Sequence, residues 1–143
     1  MGGAAMNIML ALIASWLSVN FDLPAVQEHP KIEFVAPQKM ATLRYGAAWT
    51  GQGPELVAIY DDKSSTVFLS HHWTGKTPAE ISILVHEFVH HLQNRGRLQY
   101  QCPAAREALA YAAQEKWLGM FNKSLLSEFE IDPFTLKVST ACM

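Results

Sequence analysis

In the second half of the chain, hydrophobic positions repeat with the period of an α-helix. The repeating positions are Ile81, Leu84, Val85, Phe88 and Leu92, which cluster on one side of a helical wheel. Thr77 can cap the first turn, Pro78 suits the first helical position, and Glu80 occupies the third, as in a capping box. Gly96 is a suitable end. The pattern therefore predicts a helix over residues 77–95 with one face directed towards a core.

A second helical segment follows, from roughly Pro103 to Phe121. It is rich in alanine and leucine, which have high helix propensities, and Pro103 suits a first helical turn. Glu107, Tyr111 and Gln114 fall on one stripe of this helix. Small alanine side chains beside the stripe would let another helix approach closely. The two segments are therefore predicted to pack as an antiparallel pair.

Two short β-type runs precede the first of these helices, at residues 55–60 and 66–70. The polar segment between them, Asp61 to Ser65, is rich in turn-forming residues, so the two runs are predicted to form a hairpin. Near the N-terminus, apolar positions from Met6 to Val19 keep helical spacing. They predict an amphipathic packing helix that ends near Pro24.

The end of the chain is predicted to contain a short helix after Asn122, a break at Asp132-Pro133, and an extended tail over residues 134–143. A chain of 143 residues is expected to form one domain. Together these elements predict an α+β fold, mainly helical, with a single domain over residues 1–143.

His86 and His90 lie on the first predicted helix in the pattern His-Glu-x-x-His. Residues four apart on a helix share one face, so the two imidazoles can bind one metal ion. They fall roughly opposite the apolar stripe, on the side predicted to face a cleft. Glu87 is turned by about 100° from His86. It can reach a water molecule held by the metal and accept a proton from it.

A catalytic zinc site uses three protein ligands and leaves one position for water. Glu107 follows His90 far enough along the chain for the first helix to end and the second to return, so Glu107 is the candidate third ligand. Its alternative is a solvated carboxylate paired with Arg106 or Lys116. Glu115 is a weaker candidate because it lies away from the stripe that carries Glu107.

The segment His86-Glu-Phe-Val-His90, followed by Glu107 in a helix that reads Glu-Ala-Leu-Ala-Tyr, resembles the gluzincin branch of the zincin metallopeptidases. The resemblance covers about Tyr60 to Leu118, and in its small size the chain is more similar to minimal bacterial zincin-like domains. It implies a zinc ion held by the two histidines and Glu107, with Glu87 as general base. The metzincin branch does not fit, because no His-x-x-Gly-x-x-His extension follows.

The same resemblance implies zinc-dependent hydrolysis of peptide bonds in a peptide or protein substrate. It also implies that an edge strand above the active helix pairs with the extended substrate, and the second β-type run is the candidate. An ordinary structural hairpin is the alternative. Tyr111 is the better candidate to hydrogen-bond an oxyanion, and Tyr45 is the other; a packing role is the alternative for Tyr111.

Other functions are compatible with the same residues. The chain can be a non-catalytic zinc-binding or regulatory domain that retains a zincin skeleton, a helical domain without metal, or a hydrolase of a non-peptide amide. Other metal ligands are conceivable as well. His71, His72, His91 and Cys102 carry suitable donor atoms, but His91 is turned away from His90 on the helix and Cys102 precedes a helix start that directs it away from Glu107.

Charge and cysteine content bear on partners and location. The chain has 11 basic and 13 acidic residues and a net charge of -2, which provides no basic surface for nucleic acid. Its apolar N-terminal segment resembles the middle of a signal peptide, yet no positive charge precedes Lys31, and the segment is short for a stable membrane span. Cys102 and Cys142 are predicted to form a disulfide, which favours the periplasm or the outside of the cell. Two free thiols in a cytoplasmic protein are the alternative.

Overall fold

The computed structural model describes residues 2–24, 26, 28–46 and 56–143. The elements in chain order are α1 (Gly3–Asn20), β1 (Lys31–Val35), α2 (Pro37–Tyr45), β2 (Ala58–Asp61), β3 (Thr66–Ser70), α3 (Pro78–Arg95), α4 (Pro103–Gly119), α5 (Leu125–Phe129) and α6 (Pro133–Thr140). The fold is α+β and mainly helical, which confirms the predicted class.

The three described strands form one sheet in the order β1-β3-β2. β3 pairs with β2 as the predicted antiparallel hairpin, and it pairs with β1 in parallel. The hairpin's first strand begins at Ala58; Glu55, where the predicted run starts, lies outside the described residues. The prediction that the second run is an edge strand is wrong, because Lys31–Val35 adds a strand to its other side.

The ends of α3 follow from local chemistry. The Thr77 hydroxyl accepts a hydrogen bond from the Glu80 amide at 3.1 Å, as predicted for the N-cap. The Glu80 carboxylate does not close a capping box; it accepts from the Thr74 amide at 2.7 Å. Gly96 follows the last turn, where a Cβ atom would lie 2.6 Å from Cγ of Pro24. The chain that returns from α1 can therefore pass directly over the end of α3.

The predicted N-terminal helix forms and packs on the core through Met6, Leu10, Ile13 and Leu17. Its outer side is also apolar and exposes further aliphatic side chains. One side of the helix is therefore buried and the other exposed, but the two sides differ little in polarity. Among the described residues, α1 is the one helix that is long and apolar enough to cross a membrane.

The predicted extended tail at the C-terminus is wrong, because Pro133–Thr140 forms α6. Asp132 caps this helix by accepting from the Thr135 amide at 2.7 Å, and Pro133 occupies the first turn. The Asp-Pro pair therefore starts a helix as well as ending the preceding segment. The predicted disulfide between Cys102 and Cys142 is present, so the end of the chain is tied to the start of α4.

Candidate metal centre

Two helices carry the predicted metal ligands and bring them together. The Nε2 atom of His86 lies 2.9 Å from Oε2 of Glu107, and Nε2 of His90 lies 3.0 Å from Oε1 of the same carboxylate. All three potential donor atoms lie within 4.8 Å of one another. Both histidines are buried, and Glu107 is half-buried. The group can therefore hold a metal ion.

The packing of α3 against α4 explains how residues far apart in sequence meet. Ser82 near the start of α3 contacts Gln114 in the later part of α4, and Gln93 near the end of α3 contacts Arg106 at the start of α4. The helices therefore run in opposite directions, which brings Glu107 opposite the two histidines. Ala110 and Ala113 of α4 are fully buried, as expected where small side chains permit close helix packing.

Gln114 orients the His86 ring. The Ser82 hydroxyl donates its proton to the Ala79 carbonyl at 2.7 Å, so it accepts from Nε2 of Gln114 at 3.2 Å. This directs Oε1 of Gln114 towards Nδ1 of His86, at 2.9 Å. Because an amide oxygen can only accept, Nδ1 of His86 is the protonated donor, and Nε2 faces Glu107.

Gln93 does the same for His90. Oε1 of Gln93 accepts from Nε of Arg106 at 3.3 Å, and its amide nitrogen donates to the Arg106 carbonyl at 3.0 Å. Neither partner can exchange its role, so the amide has one orientation. Nδ1 of His90, at 2.8 Å from the same Oε1, must therefore donate. The second imidazole also directs Nε2 towards the Glu107 carboxylate.

This arrangement requires positive charge between the imidazoles and Glu107. A neutral histidine that is protonated on Nδ1 presents a lone pair at Nε2, which would repel a carboxylate oxygen at 3 Å or less. A second proton on the ring or a metal cation in the gap removes that repulsion. Gln93 and Gln114 thus favour the Nε2-liganding tautomer of both histidines, the role that partners of metal-bound histidines commonly have.

The pKa values of the site reflect the same charges. Burial alone would raise the pKa of Glu107, but hydrogen bonds from His86 and His90 hold it well below its usual range. Burial alone would lower the pKa of His90, yet its hydrogen bond to Glu107 and the charges of Glu87 and Glu107 raise it. Glu107 is therefore ionised at neutral pH, and the site attracts cations.

Glu87 and Tyr111 lie at the same cleft as the ligand group. The cleft has a volume of about 500 Å³, and both side chains contribute to its wall together with His86, His90 and Glu107. The centroids of the Tyr111 and His86 rings are 4.6 Å apart in an edge-on arrangement. Burial and the charges of Glu107 and Glu87 raise the pKa of Tyr111, so its hydroxyl keeps its proton at neutral pH.

Several weaker candidates lie elsewhere. His91 donates from Nε2 to the Glu28 carbonyl at 2.7 Å and accepts at Nδ1 from the Tyr60 hydroxyl at 2.9 Å. Both ring nitrogens are therefore hydrogen-bonded within the protein. Glu115 accepts a hydrogen bond from the Leu125 amide at the start of α5. Tyr45 is exposed at the end of α2, where its ring lies beneath the guanidinium of Arg44.

The other sequence candidates for metal ligands also lie outside the ligand group. His71 and His72 are exposed in the turn that follows β3, and the Sγ atom of Cys102 is bound to Cys142. The sequence suggests Arg106 only as an alternative partner for Glu107. It instead pairs with Asp62, with one contact at 2.8 Å, and donates to the His90 carbonyl at 3.2 Å.

Neither Gln93 nor Gln114 is predicted from the sequence to have a role at the site, although Gln114 falls on the stripe that carries Glu107. A signal was available, because each lies on the ligand-bearing face of its helix and an uncharged glutamine there is suited to accept from an imidazole. Gln114 reaches His86 across the interface of α3 with α4, and Arg106 of α4 orients Gln93. Both roles therefore depend on the distance between the two helices, which helical spacing alone does not specify.

Residues 3–142 match the family described as Domain of unknown function (DUF6647), and the chain belongs to that family. No curated protein and no solved structure matches the chain significantly.

Proposed function

We propose that this member of the DUF6647 family is a zinc-dependent peptidase whose ligands are His86, His90 and Glu107. The observation that carries the proposal is that the Nε2 atoms of both histidines lie 2.9 and 3.0 Å from the carboxylate of Glu107, with a further carboxylate, Glu87, in the same cleft. The glutamine acceptors at Nδ1 of both rings support the proposal, because partners of metal-bound histidines commonly hold the rings in this way.

The donor set suits zinc. Two imidazole nitrogens and one carboxylate form a three-ligand set that is found in catalytic zinc sites, which leave a further position for water or substrate. His86 and His90, whose Nδ1 protons are held by glutamine, would bind zinc through Nε2. When bound, zinc would supply Lewis-acid polarisation of a carbonyl group and a water molecule of lowered pKa.

Glu87 would move protons in the reaction. Its half-buried carboxylate lies on the same helix as both histidines and faces the cleft. It would accept a proton from the attacking water and then deliver that proton to the leaving amine. A carboxylate adjacent to one ligand in sequence reaches the cleft because the helix turns it by about 100° from His86.

Tyr111 would stabilise the negative charge that develops on the scissile carbonyl oxygen. Its raised pKa keeps the hydroxyl protonated, so it can donate a hydrogen bond to an oxyanion. The ring is held against His86, which limits its movement relative to the ligands. A donor placed before the reaction begins requires little reorganisation during it.

We also propose that the protein acts outside the cytoplasm. A disulfide joins Cys102 to Cys142, and disulfides persist in oxidising compartments. The apolar helix α1 lies near the N-terminus, as a signal sequence does. Substrates of the enzyme would then be extracellular or periplasmic peptides and proteins.

Zinc binding is tested first by the metal content of purified protein. We expect about one zinc per chain in the wild type, a loss in His86→Ala, and much weaker binding in Glu107→Gln, because each substitution removes one of three ligands. Wild-type protein that takes up no zinc after reconstitution would contradict the proposed function. Circular dichroism of each variant would verify that the helices remain folded.

Catalysis is tested with the zinc-loaded protein and a peptide library, with products identified by mass spectrometry. Glu87→Gln should keep its zinc and lose hydrolysis by at least about a hundredfold, because it removes the general base. Glu33→Gln makes the same chemical change on an exposed residue of β1 and should cleave at the wild-type rate. Full zinc occupancy without hydrolysis would favour a non-catalytic zinc-binding domain.

A further inference from the structure

We infer that Arg44 is a substrate-recognition residue that binds a carboxylate group of a peptide ligand lying in the cleft. The inference rests on the proposed function, because it specifies which ligands that cleft accepts. Arg44 lines the cleft together with Glu87 and Glu107. It was not a candidate in the sequence, where it is one of 11 basic residues without a motif.

The packing of α2 directs Arg44 to this position. Met40 is fully buried against Val35 and Phe68 of the sheet. Arg44 follows Met40 by one helical turn, so the two residues share a face. The burial of Met40 therefore holds the last turn of α2 over the strand that borders the cleft, and Ile59 of β2 packs beside the same cluster.

Among the described residues that line the cleft, the second arginine, Arg106, already has partners. Arg106 pairs with Asp62 through both terminal nitrogens of its guanidinium and donates to the His90 carbonyl. Arg44, by contrast, has no carboxylate within the ion-pair distance of 4.0 Å in the part of the chain that the structure describes. Its guanidinium lies 5.7 Å from the centroid of the Tyr45 ring.

A purely structural role explains the position of Arg44 less well than ligand binding does. A basic residue in the last turn of a helix interacts favourably with the helix dipole, but an exposed cation gains little from that interaction. The cleft also holds two carboxylates, and Glu107 is engaged by both histidines. An anionic ligand group would be repelled there unless a cation received it.

The chemistry of guanidinium defines the ligand. Its planar set of N–H donors can bind both oxygens of a carboxylate, while its contact with an aromatic ring leaves these donors available. The ligand class is therefore a peptide with a carboxylate, either an acidic side chain or the free C-terminus, bound away from the metal ligands. Peptides that offer no carboxylate to Arg44 should bind more weakly.

Binding can be measured without turnover in zinc-loaded Glu87→Gln. The probes are hexapeptides of one apolar sequence with Glu or Gln at each position in turn, and each is made with a free or amidated C-terminus. Isothermal titration calorimetry should show a preference of roughly three- to tenfold for a probe that carries the recognised carboxylate, as expected for a partly exposed, bidentate ion pair. Comparison of Glu with Gln probes tests an acidic side chain as the source of the carboxylate, and comparison of free with amidated probes tests the C-terminus.

Three substitutions in this background identify the residue responsible. Arg44→Gln should abolish the preference, and Arg44→Lys should retain part of it, since lysine keeps the charge but not the planar donor set. Lys39→Gln is the matched control, because Lys39 is on the same helix but pairs with Glu33 at 3.7 Å. It should leave the preference unchanged.

Two results would overturn the inference: no preference for any carboxylate probe, including the absence of measurable binding, or a preference that persists in Arg44→Gln. These results are distinct from failure of the proposed function, which is judged by hydrolysis. Wild-type protein that cleaves peptides while its Glu87→Gln form shows no carboxylate preference would refute the role of Arg44 alone. Carboxylate-dependent binding without cleavage by the wild type would refute the peptidase alone.

Discussion

At the scale of single residues, the site depends on which ring nitrogen of each histidine carries the proton. Gln114 and Gln93 accept from Nδ1 of His86 and His90, and each glutamine is itself oriented by a further hydrogen bond, from Gln114 to Ser82 and from Arg106 to Gln93. The Nε2 atoms, which would bind a metal, therefore face Glu107. Zinc binding would use this preformed arrangement and would not have to pay for rotating either ring.

This leads to a prediction for Gln114. Gln114→Ala removes the acceptor for Nδ1 of His86 and should weaken zinc binding by about 10- to 100-fold. Gln114→Glu keeps an acceptor oxygen at the same place and should retain most of the affinity. Competition with a metal-binding dye would measure both. Exposed Gln99→Ala is the control; an equal loss of affinity in Gln99→Ala would show that the effect is not specific to the His86 partner.

At the scale of elements, the helices that bear the ligands are the parts best predicted from the chain. Thr77 and Gly96 bound α3 as expected, and α4 begins at Pro103 as expected. Their apolar periodicity, helix propensity and end signals agree, so local chemistry and packing select the same structure. The hairpin of β2 and β3 was predicted for the same reason.

Other elements carried weaker local signals. The residues of β1 alternate between polar and apolar only from Lys31 to Phe34, and Val35 is the one residue of the strand that is buried, so the alternation is too short to identify a strand by itself. α6 has no buried residue, and its position depends on contacts with α4 and on the disulfide. For β1, pairing with the distant strand β3 determines the structure, and a local pattern does not contain that information. For α6 a local start signal is present in Asp132-Pro133, but the same pair also fits a simple break.

The Thr77 cap provides a test at this scale. Thr77→Ala removes the acceptor for the Glu80 amide and should lower the free energy of unfolding by about 1 kcal/mol. Thr77→Ser keeps the hydroxyl and should remain close to the wild type. Urea unfolding monitored by circular dichroism would compare the three proteins. Equal stability of all three would mean that water replaces the cap without loss.

At the scale of the whole molecule, the disulfide ties the last residues to the beginning of the ligand helix. Cys102 and Cys142 are separated by 40 residues. A cross-link that closes a loop of this length restricts the unfolded chain and is worth about 4 kcal/mol in the chain-entropy description. Since the α3–α4 contacts do not include either sulfur atom, the ligand group itself should survive reduction.

Reduction should therefore lower stability far more than it lowers zinc binding. We expect a reducing agent to decrease the free energy of unfolding by about 4 kcal/mol while the folded protein keeps its zinc. The double variant Cys102→Ser, Cys142→Ser should match the reduced wild type and show no response to the reductant. Loss of zinc at conditions where the reduced protein is still folded would show that the disulfide also positions Glu107.

The sequence by itself predicted which residues form the potential metal-binding group, because two histidines four positions apart on a helix share one face. Glu87 followed from the same periodicity, and Glu107 from its place on the next helix. Tertiary structure decided the rest. The glutamine partners, the pairing of Arg106 with Asp62, and the position of Arg44 at the cleft all depend on distances between elements, and those distances are determined by packing of the entire core.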